Sequence, residues 1–294
     1  MTRRYRQFIF WIFVVLFIAV SVIITLFAQG WRFNFETLRV VKTGGMFIKT
    51  TVSDAKIYIN DEYKGSTSGI LNYSKLINDL TPKSYDIFIY KEGYYPWNKT
   101  VKIKNGLVTE LIYITLLPLE LKKVKVAELP NQIMSDFRVN DETIKIIKNK
   151  KTGSAKFYDF SGKLVPNNAF ETATSTELSP DKNKKLYAFN NQIWIDYIHN
   201  VKEEPSKTAG EKEAIAESES PIVFLDWFKD SEHIIWFAGN ELTIAERDNR
   251  GGKRNIVKFY LNINPPIFWD GENSNLYYFE NSNEKLVLYK INIK

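Results

Sequence analysis

The first pattern along the chain is an apolar run. From Phe8 to Ala28 no side chain is charged, and Ser21 and Thr25 are the only polar ones. At 1.5 Å per residue the run reaches about 30 Å, the thickness of a bilayer's hydrocarbon core. The two hydroxyls can bond back to helical carbonyls. The pattern predicts a transmembrane helix over 8–29. Arg3, Arg4 and Arg6 precede it, which places residues 1–7 in the cytoplasm and the remainder outside. Arg32 and Arg39 on the far side weaken that bias, but long C-terminal domains cross largely regardless of such charges. A cleaved leader is the alternative. The run is long for a leader, and Leu26-x-Ala28 is a poor small-x-small cleavage site. An uncleaved anchor is therefore expected, with a single-pass cell-membrane localisation and the lipid bilayer as one partner.

Past a juxtamembrane connector at 30–45 the period changes from helical to alternating. Within 46–118, "AKIYIN" sets Ile57 and Ile59 on one face, with Lys56 and Asn60 on the other. Asn60, Asp61 and Gly65 mark a turn. "SYDIFIYKEG" sets Tyr85, Ile87 and Ile89 opposite Phe88 and Tyr90, so this strand reads as buried on both sides. "WNKTVKIKNG" sets Trp97, Val101 and Ile103 opposite Asn98, Thr100, Lys102 and Lys104. Short strands with a two-face pattern predict a small antiparallel β-sandwich. Parity sends Trp97 into its core, with Tyr94 partly buried and Tyr95 as an exposed aromatic contact.

Region 119–294 repeats a plan of strand, polar turn, strand, turn and strand, with aspartates at the turns: Asp141, Asp181, Asp230 and Asp270. The spacing of about 40–50 residues is that of a propeller blade. Lys122–Leu129 can pair with Lys285–Asn292, so that both ends of the region close one blade and remove exposed edges. An open stack of blades is the alternative. Residues 201–221 are charged and poor in large apolar side chains, which predicts a mobile insert. No long amphipathic helix is evident beyond the anchor.

The stretch from Gly44 to Pro118 resembles a PEGA domain. The matching features are a glycine-led first strand, the "AKIYIN" strand, Gly65-Ser66-Thr67 after its turn, the "SYDIFI" strand, "GYYPW" and the closing "LLP". At the namesake turn Val52, Ser53, Asp54 and Ala55 stand where Pro, Glu, Gly and Ala would, and only Ala55 agrees. The resemblance implies an extracytoplasmic β-sandwich of prokaryotic envelope proteins without catalytic residues. "SPDKNKKLYAF", followed by "NQIWI", resembles the blades of TolB-like and WD-type propellers. The expected fold class is all-β after one N-terminal transmembrane helix: a PEGA-type β-sandwich, then a small or partial β-propeller-like domain.

Composition narrows the chemistry. There are no cysteines, which excludes disulfides, thiolate metal sites and a cysteine nucleophile. The net charge is +6, with lysines spread along the chain, so a nucleic-acid partner is not expected. The only histidines, His199 and His233, lie in different repeats. No phosphate-binding or nucleophile-elbow motif occurs, and neither catalytic residues, cofactor nor metal is expected. "WDGENSN" holds Asp270, Glu272 and Asn273 and comes near a calcium loop, but an aspartate capping its own turn is the commoner use. "RDNRGGKRN" reads as an exposed basic hairpin, with Arg247, Arg250, Lys253 and Arg254 as candidate contacts to an anionic polymer. The functional expectation is a membrane-anchored envelope protein that binds or scaffolds a protein or glycan partner. The alternatives are a passive stalk or surface-layer component, and a propeller-based glycan or peptide hydrolase, which would require paired carboxylates.

Overall fold

The computed structural model describes residues 3–34, 38–69, 73–130, 136–139, 142–148, 155–158, 164–165, 176–189, 191–263, 266–282 and 285–294. The chain divides into two units. The first comprises Met1–Ile89 and Thr100–Thr115, the second Tyr90–Lys99 and Leu116–Lys294.

The first unit opens with α1 (Arg3–Ala28). Its apolar window, Tyr5–Ala28, has a mean hydropathy of 3.0 and is wholly unburied. Thr25 Oγ1 donates to the Ser21 carbonyl at 2.8 Å, the back-bond expected of a hydroxyl in such a helix. The helix stops at Gly30, which adopts φ 84°, a left-handed position natural to glycine at a helix end. The connector is a hairpin of β1 (Trp31–Asn34) and β2 (Arg39–Lys42).

Seven further strands build two sheets. Strands β3 (Gly44–Thr50), β6 (Tyr73–Leu80) and β9 (Val108–Ile114) lie in the order β6-β3-β9. Strands β4 (Lys56–Ile59), β5 (Glu62–Ser66), β7 (Ser84–Tyr90) and β8 (Trp97–Lys102) lie in the order β5-β4-β7-β8. The β3–β9 pair is parallel, so the sandwich is mixed and not wholly antiparallel. Gly44 explains the glycine that leads β3: a Cβ there would fall 2.5 Å from the Lys104 carbonyl oxygen. Met46, Ile48, Ile57, Ile59, Ile87, Val101 and Ile103 are buried. Strand β7 is buried on one face only, because Phe88 and Tyr90 are each 38% exposed. Phe88 lies 6.1 Å from the Tyr58 ring, a cross-strand aromatic pair on the open face of the sheet and not a second core layer.

The degenerate namesake turn holds a left-handed residue. Asp54 has φ 54°, a conformation that glycine adopts freely and that Asp tolerates better than most residues. Thr67, fully buried, staples the turn. Its Oγ1 accepts from Ala55 N at 3.1 Å and donates to the Val52 carbonyl at 3.2 Å. Ala55 is fully buried, which leaves no room for a larger side chain and accounts for its retention.

The second unit contains four four-stranded sheets. One joins β10 (Lys123–Pro130) to β25 (Lys285–Asn292), β24 (Asn275–Ser282) and β23 (Ile267–Asp270). The pairing of β10 with β25 is the closure expected from the sequence. The other sheets follow chain order. They are β11 to β14 (Asp136–Val139, Glu142–Lys148, Ala155–Tyr158, Leu164–Val165), β15 to β18 (Thr176–Leu178, Lys184–Phe189, Gln192–Tyr197, Lys212–Glu217), and β19 to β22 (Ile222–Trp227, His233–Ala238, Glu241–Glu246, Ile256–Tyr260). All six residues of β20 are buried, because both faces of its sheet are covered. Leu186, Ile195 and Tyr197 share one core with Leu225, Trp227 and Trp236. Phe237, Leu242 and Ile244 share the next with Ile267, Leu276 and Tyr278.

Residues 201–221 are not a free insert. They contain β18, paired with β17 across one β-bulge, and bury Val201 and Ile215. Hydrogen bonding to a formed strand compensates for their small side chains. Of the four repeat aspartates, Asp141 lies outside the described residues. Asp181 accepts from Asn183 N at 3.0 Å, Asp230 from Glu232 N at 2.9 Å, and Asp270 from Asn273 N at 3.1 Å. Each caps its own turn.

Candidate functional site: a charged cluster in the second unit

Register places several strand ends together. Lys184 at the start of β16 faces Tyr197 at the end of β17, and Asp196 faces Lys212 at the start of β18. In the next sheet His233 faces Glu246, and Ala245 faces Ile256. Loops 198–211, 228–232 and 247–255 therefore leave from corresponding ends of their sheets. Charged side chains fill this region.

Arg247 is fully buried. Its Nε donates to Glu232 at 2.5 Å and its Nη1 to the Pro205 carbonyl at 2.8 Å. Glu232 also accepts from Lys184 Nζ at 3.1 Å, and that lysine bonds Asp181 at 2.7 Å. On the other side Tyr197 donates to Glu213 at 2.7 Å. Glu213 further accepts from Asn249 at 3.0 Å, pairs with Lys207 at 3.1 Å, and binds Arg254. The adjoining cluster is centred on Glu246. It accepts from Trp97 Nε1 at 2.8 Å, pairs with Lys99 at 2.6 Å, and accepts from Asn255 Nδ2 at 2.7 Å. Asn98 and Asn255 exchange backbone and side-chain bonds at 3.1 and 3.0 Å.

The electrostatics follow from burial and pairing. Burial pushes the Tyr197 hydroxyl far above its ordinary value, with Glu213 adding to the rise against the opposing Arg247 charge. Burial disfavours the Arg247 cation, yet Glu232 and Tyr197 raise its pKa above the usual value. Burial alone would raise Asp181, but hydrogen bonds from Lys184 and Ser179 hold it below the ordinary range. Asp248 is likewise held low, against burial, by Arg250 and Lys99. His233 is buried, with Nδ1 2.8 Å from Asp230 Oδ2. Burial opposes its charge, but Asp230 raises its pKa. Among the described residues, the carboxylates with displaced pKa values are displaced downward. A general acid needs the opposite shift.

The residues expected to form an exposed basic hairpin are placed otherwise. Arg247 is interior. Arg254 binds Glu213, Arg250 pairs with Asp248 at 2.7 Å, and Lys253 Nζ donates to Asn98 Oδ1 at 3.1 Å. Each of the four is engaged at least in part by a neighbouring carboxylate, amide or carbonyl. Tyr95 is half-buried, and its ring meets Phe259 edge-on at 5.6 Å, so it packs into a core instead of presenting a platform. Trp97 is buried as expected, and it lies in the second unit, where its indole N–H bonds Glu246. Lys99 was missed altogether. It shares parity with Trp97 and Val101, and a lysine on the inward face of a strand was the available signal. Asp270 accepts a second bond from Asn273 Nδ2 at 2.8 Å, while Glu272 pairs with Lys229 at 2.7 Å. Among the described residues no group of three or more His, Asp or Glu side chains is placed to hold a metal ion.

These features define a class: an apolar N-terminal helix followed by all-β units, a sandwich and a propeller-like array. Residues 43–117, which span the sandwich, match the PEGA domain family. No curated protein matches the chain in sequence. Similar solved structures include the Cps50 (Swd1) β-propeller domain of Myceliophteria thermophila. It is 11% identical, with a TM-score of 0.29, over 72% of this chain and 67% of that one. Hsv2 of Kluyveromyces lactis is 10% identical, with a TM-score of 0.26, over 80% of this chain and 71% of that one. The tricorn protease is 12% identical, with a TM-score of 0.27, over 85% of this chain and 30% of its own. The propeller-like description rests on the four four-stranded sheets and on the one that unites both ends of the region.

Proposed function

We propose that this chain is a membrane-tethered protein of the cell envelope whose β units stand outside the cytoplasm and bind or scaffold a protein or glycan. The observation that supports this most is the order of parts: an unburied apolar span, a short hairpin, a PEGA domain, and an array of four-stranded sheets. Arg3, Arg4 and Arg6 favour a cytoplasmic N-terminus. Buried charges of the cluster are paired with opposite charges, and the displaced carboxylates of the second unit are held low. Both features favour presentation of a surface over hydrolysis. Loops at sheet ends are the natural contact points.

The chain has no cysteine, so single substitutions report without background. Tyr260 is 73% exposed. An impermeant maleimide should label Tyr260→Cys on intact cells expressing the full chain. Labelling only after permeabilisation would reverse the orientation. Binding is tested with the full chain in nanodiscs, carrying a photo-crosslinker at Phe189 or Tyr260, against envelope proteins and purified envelope glycan. A discrete adduct competed by unlabelled chain supports a binding role. Absence of any adduct from both positions favours a passive stalk.

A further inference from the structure

We propose that the β1–β2 hairpin is a second membrane contact, seated among the lipid headgroups where α1 leaves the bilayer. The proposal rests on the reading of α1 as a membrane span. Both legs of the hairpin begin at the helix end. Arg32 Nη1 donates to the Phe27 carbonyl at 2.6 Å, and its guanidinium carbon lies 3.5 Å from the Phe27 ring centroid. The Gly30 carbonyl accepts from Thr43 N and Thr43 Oγ1, each at 2.8 Å. Arg32 is thereby pinned at the last turn of α1, and further bonds, to the Trp31 carbonyl at 3.0 Å and to Asp79 at 2.9 Å, hold it there. Phe33 follows one residue later, about 3.3 Å of strand rise. The headgroup zone is about 5–8 Å deep on each side.

The hairpin has two unlike faces. Phe33 and Val40 are cross-strand partners, and they are 48% and 56% exposed. Asn34, on the opposite face, is buried. Leu38 at the turn is 73% exposed and has φ 51°. A leucine held left-handed and in the open is costly on both counts. A polar or glycine residue would be cheaper unless the site meets an apolar phase. Arg39 and Lys42 are exposed at the same hairpin, and cations beside an apolar face suit a surface of acidic headgroups. The hairpin leaves directly from the end of α1, so the lipid phase that takes the helix lies beside it.

The test uses full-length chain in liposomes of phosphatidylcholine and phosphatidylglycerol, with an environment-sensitive fluorophore on one introduced cysteine. Nitroxide lipids quench at the headgroup, at a shallow acyl position or at a deep one. Phe17→Cys, on the exposed wall of α1, should lose emission to the deep quencher. Val40→Cys and Leu38→Cys should lose emission to the headgroup or shallow quencher and shift to the blue. Tyr260→Cys should lose none. If Val40→Cys and Leu38→Cys match Tyr260→Cys while Phe17→Cys is quenched, the hairpin proposal falls and the span stands. If Phe17→Cys is also unquenched, the span reading fails and the proposal with it. If pyrene at Val40→Cys forms excimers in detergent without lipid, a second copy covers this face, which also overturns the proposal.

Discussion

Among the described residues, the buried polar side chains of the first unit are all neutral: Asn34, Thr43, Thr50, Thr67 and Thr115. The second unit buries Lys99, Lys184, Glu213, Glu232, His233, Glu246, Arg247 and Asp270. The sandwich therefore orders its turns with hydroxyls that bond backbone carbonyls a few residues away or on the next strand. The stacked sheets use ion pairs that reach between loops of different sheets, such as Lys184 with Glu232 and Arg254 with Glu213. Flat apolar faces tolerate sliding, whereas a buried charge tolerates only its partner. Removing one partner leaves an uncompensated ion, and that penalty enforces a particular stacking.

The largest effect expected from this contrast is at Glu232. Glu232→Ala removes the carboxylate paired with Arg247 and leaves Lys184 with Asp181 alone, and should cost the second unit about 3–5 kcal/mol. Urea unfolding of the full chain in detergent, followed by amide exchange in β16 and β20, measures it. A loss below about 1 kcal/mol would mean the cluster is solvated in practice.

Trp97 ranks next, because its indole contributes both packing and a charged hydrogen bond. Trp97→Ala should cost about 3–5 kcal/mol. Trp97→Phe keeps most of the ring and should cost about 1.5–3 kcal/mol from the bond to Glu246. The weakened amides should be those of β21. Unchanged exchange in β21 would show that the bond to Glu246 contributes nothing.

The smallest effect lies in the neutral unit. With Asp54 held left-handed, Asp54→Gly should shift stability by under about 1 kcal/mol. Asp54→Val, β-branched and strained at that φ, should cost about 1–2 kcal/mol. Equal stability of the two variants would show that the turn relaxes freely.

Much of the sandwich was legible because its signals are local. Ile57 with Ile59, and Ile87 with Ile89, sort to one face by parity. The Asn60-Asp61 turn has φ 47° and 66°, a left-handed pair that joins β4 to β5 in a two-residue loop. Legibility failed where parity names a face but not what lies on it. Phe88 looked like core and is on an open face. Residues 201–221 looked mobile because they lack bulk, but a strand needs backbone partners more than bulk. The basic run at 247–254 looked exposed because two of its counter-charges, Glu232 and Glu213, lie elsewhere along the chain.

The sequence by itself determined the apolar span, the strand faces of the PEGA sandwich, the aspartate-capped turns and the pairing of β10 with β25. Each depends on periodicity, on turn chemistry within a few residues, or on two runs that have no other partner. Only the tertiary structure decided that Trp97 and Lys99 meet Glu246, that Arg247 is interior, and that Tyr95 packs on Phe259. Trp97 and Glu246 are 149 positions apart. A charge or an indole written in one dimension carries no record of its partner, because Coulomb and hydrogen-bond energies depend on distance through space.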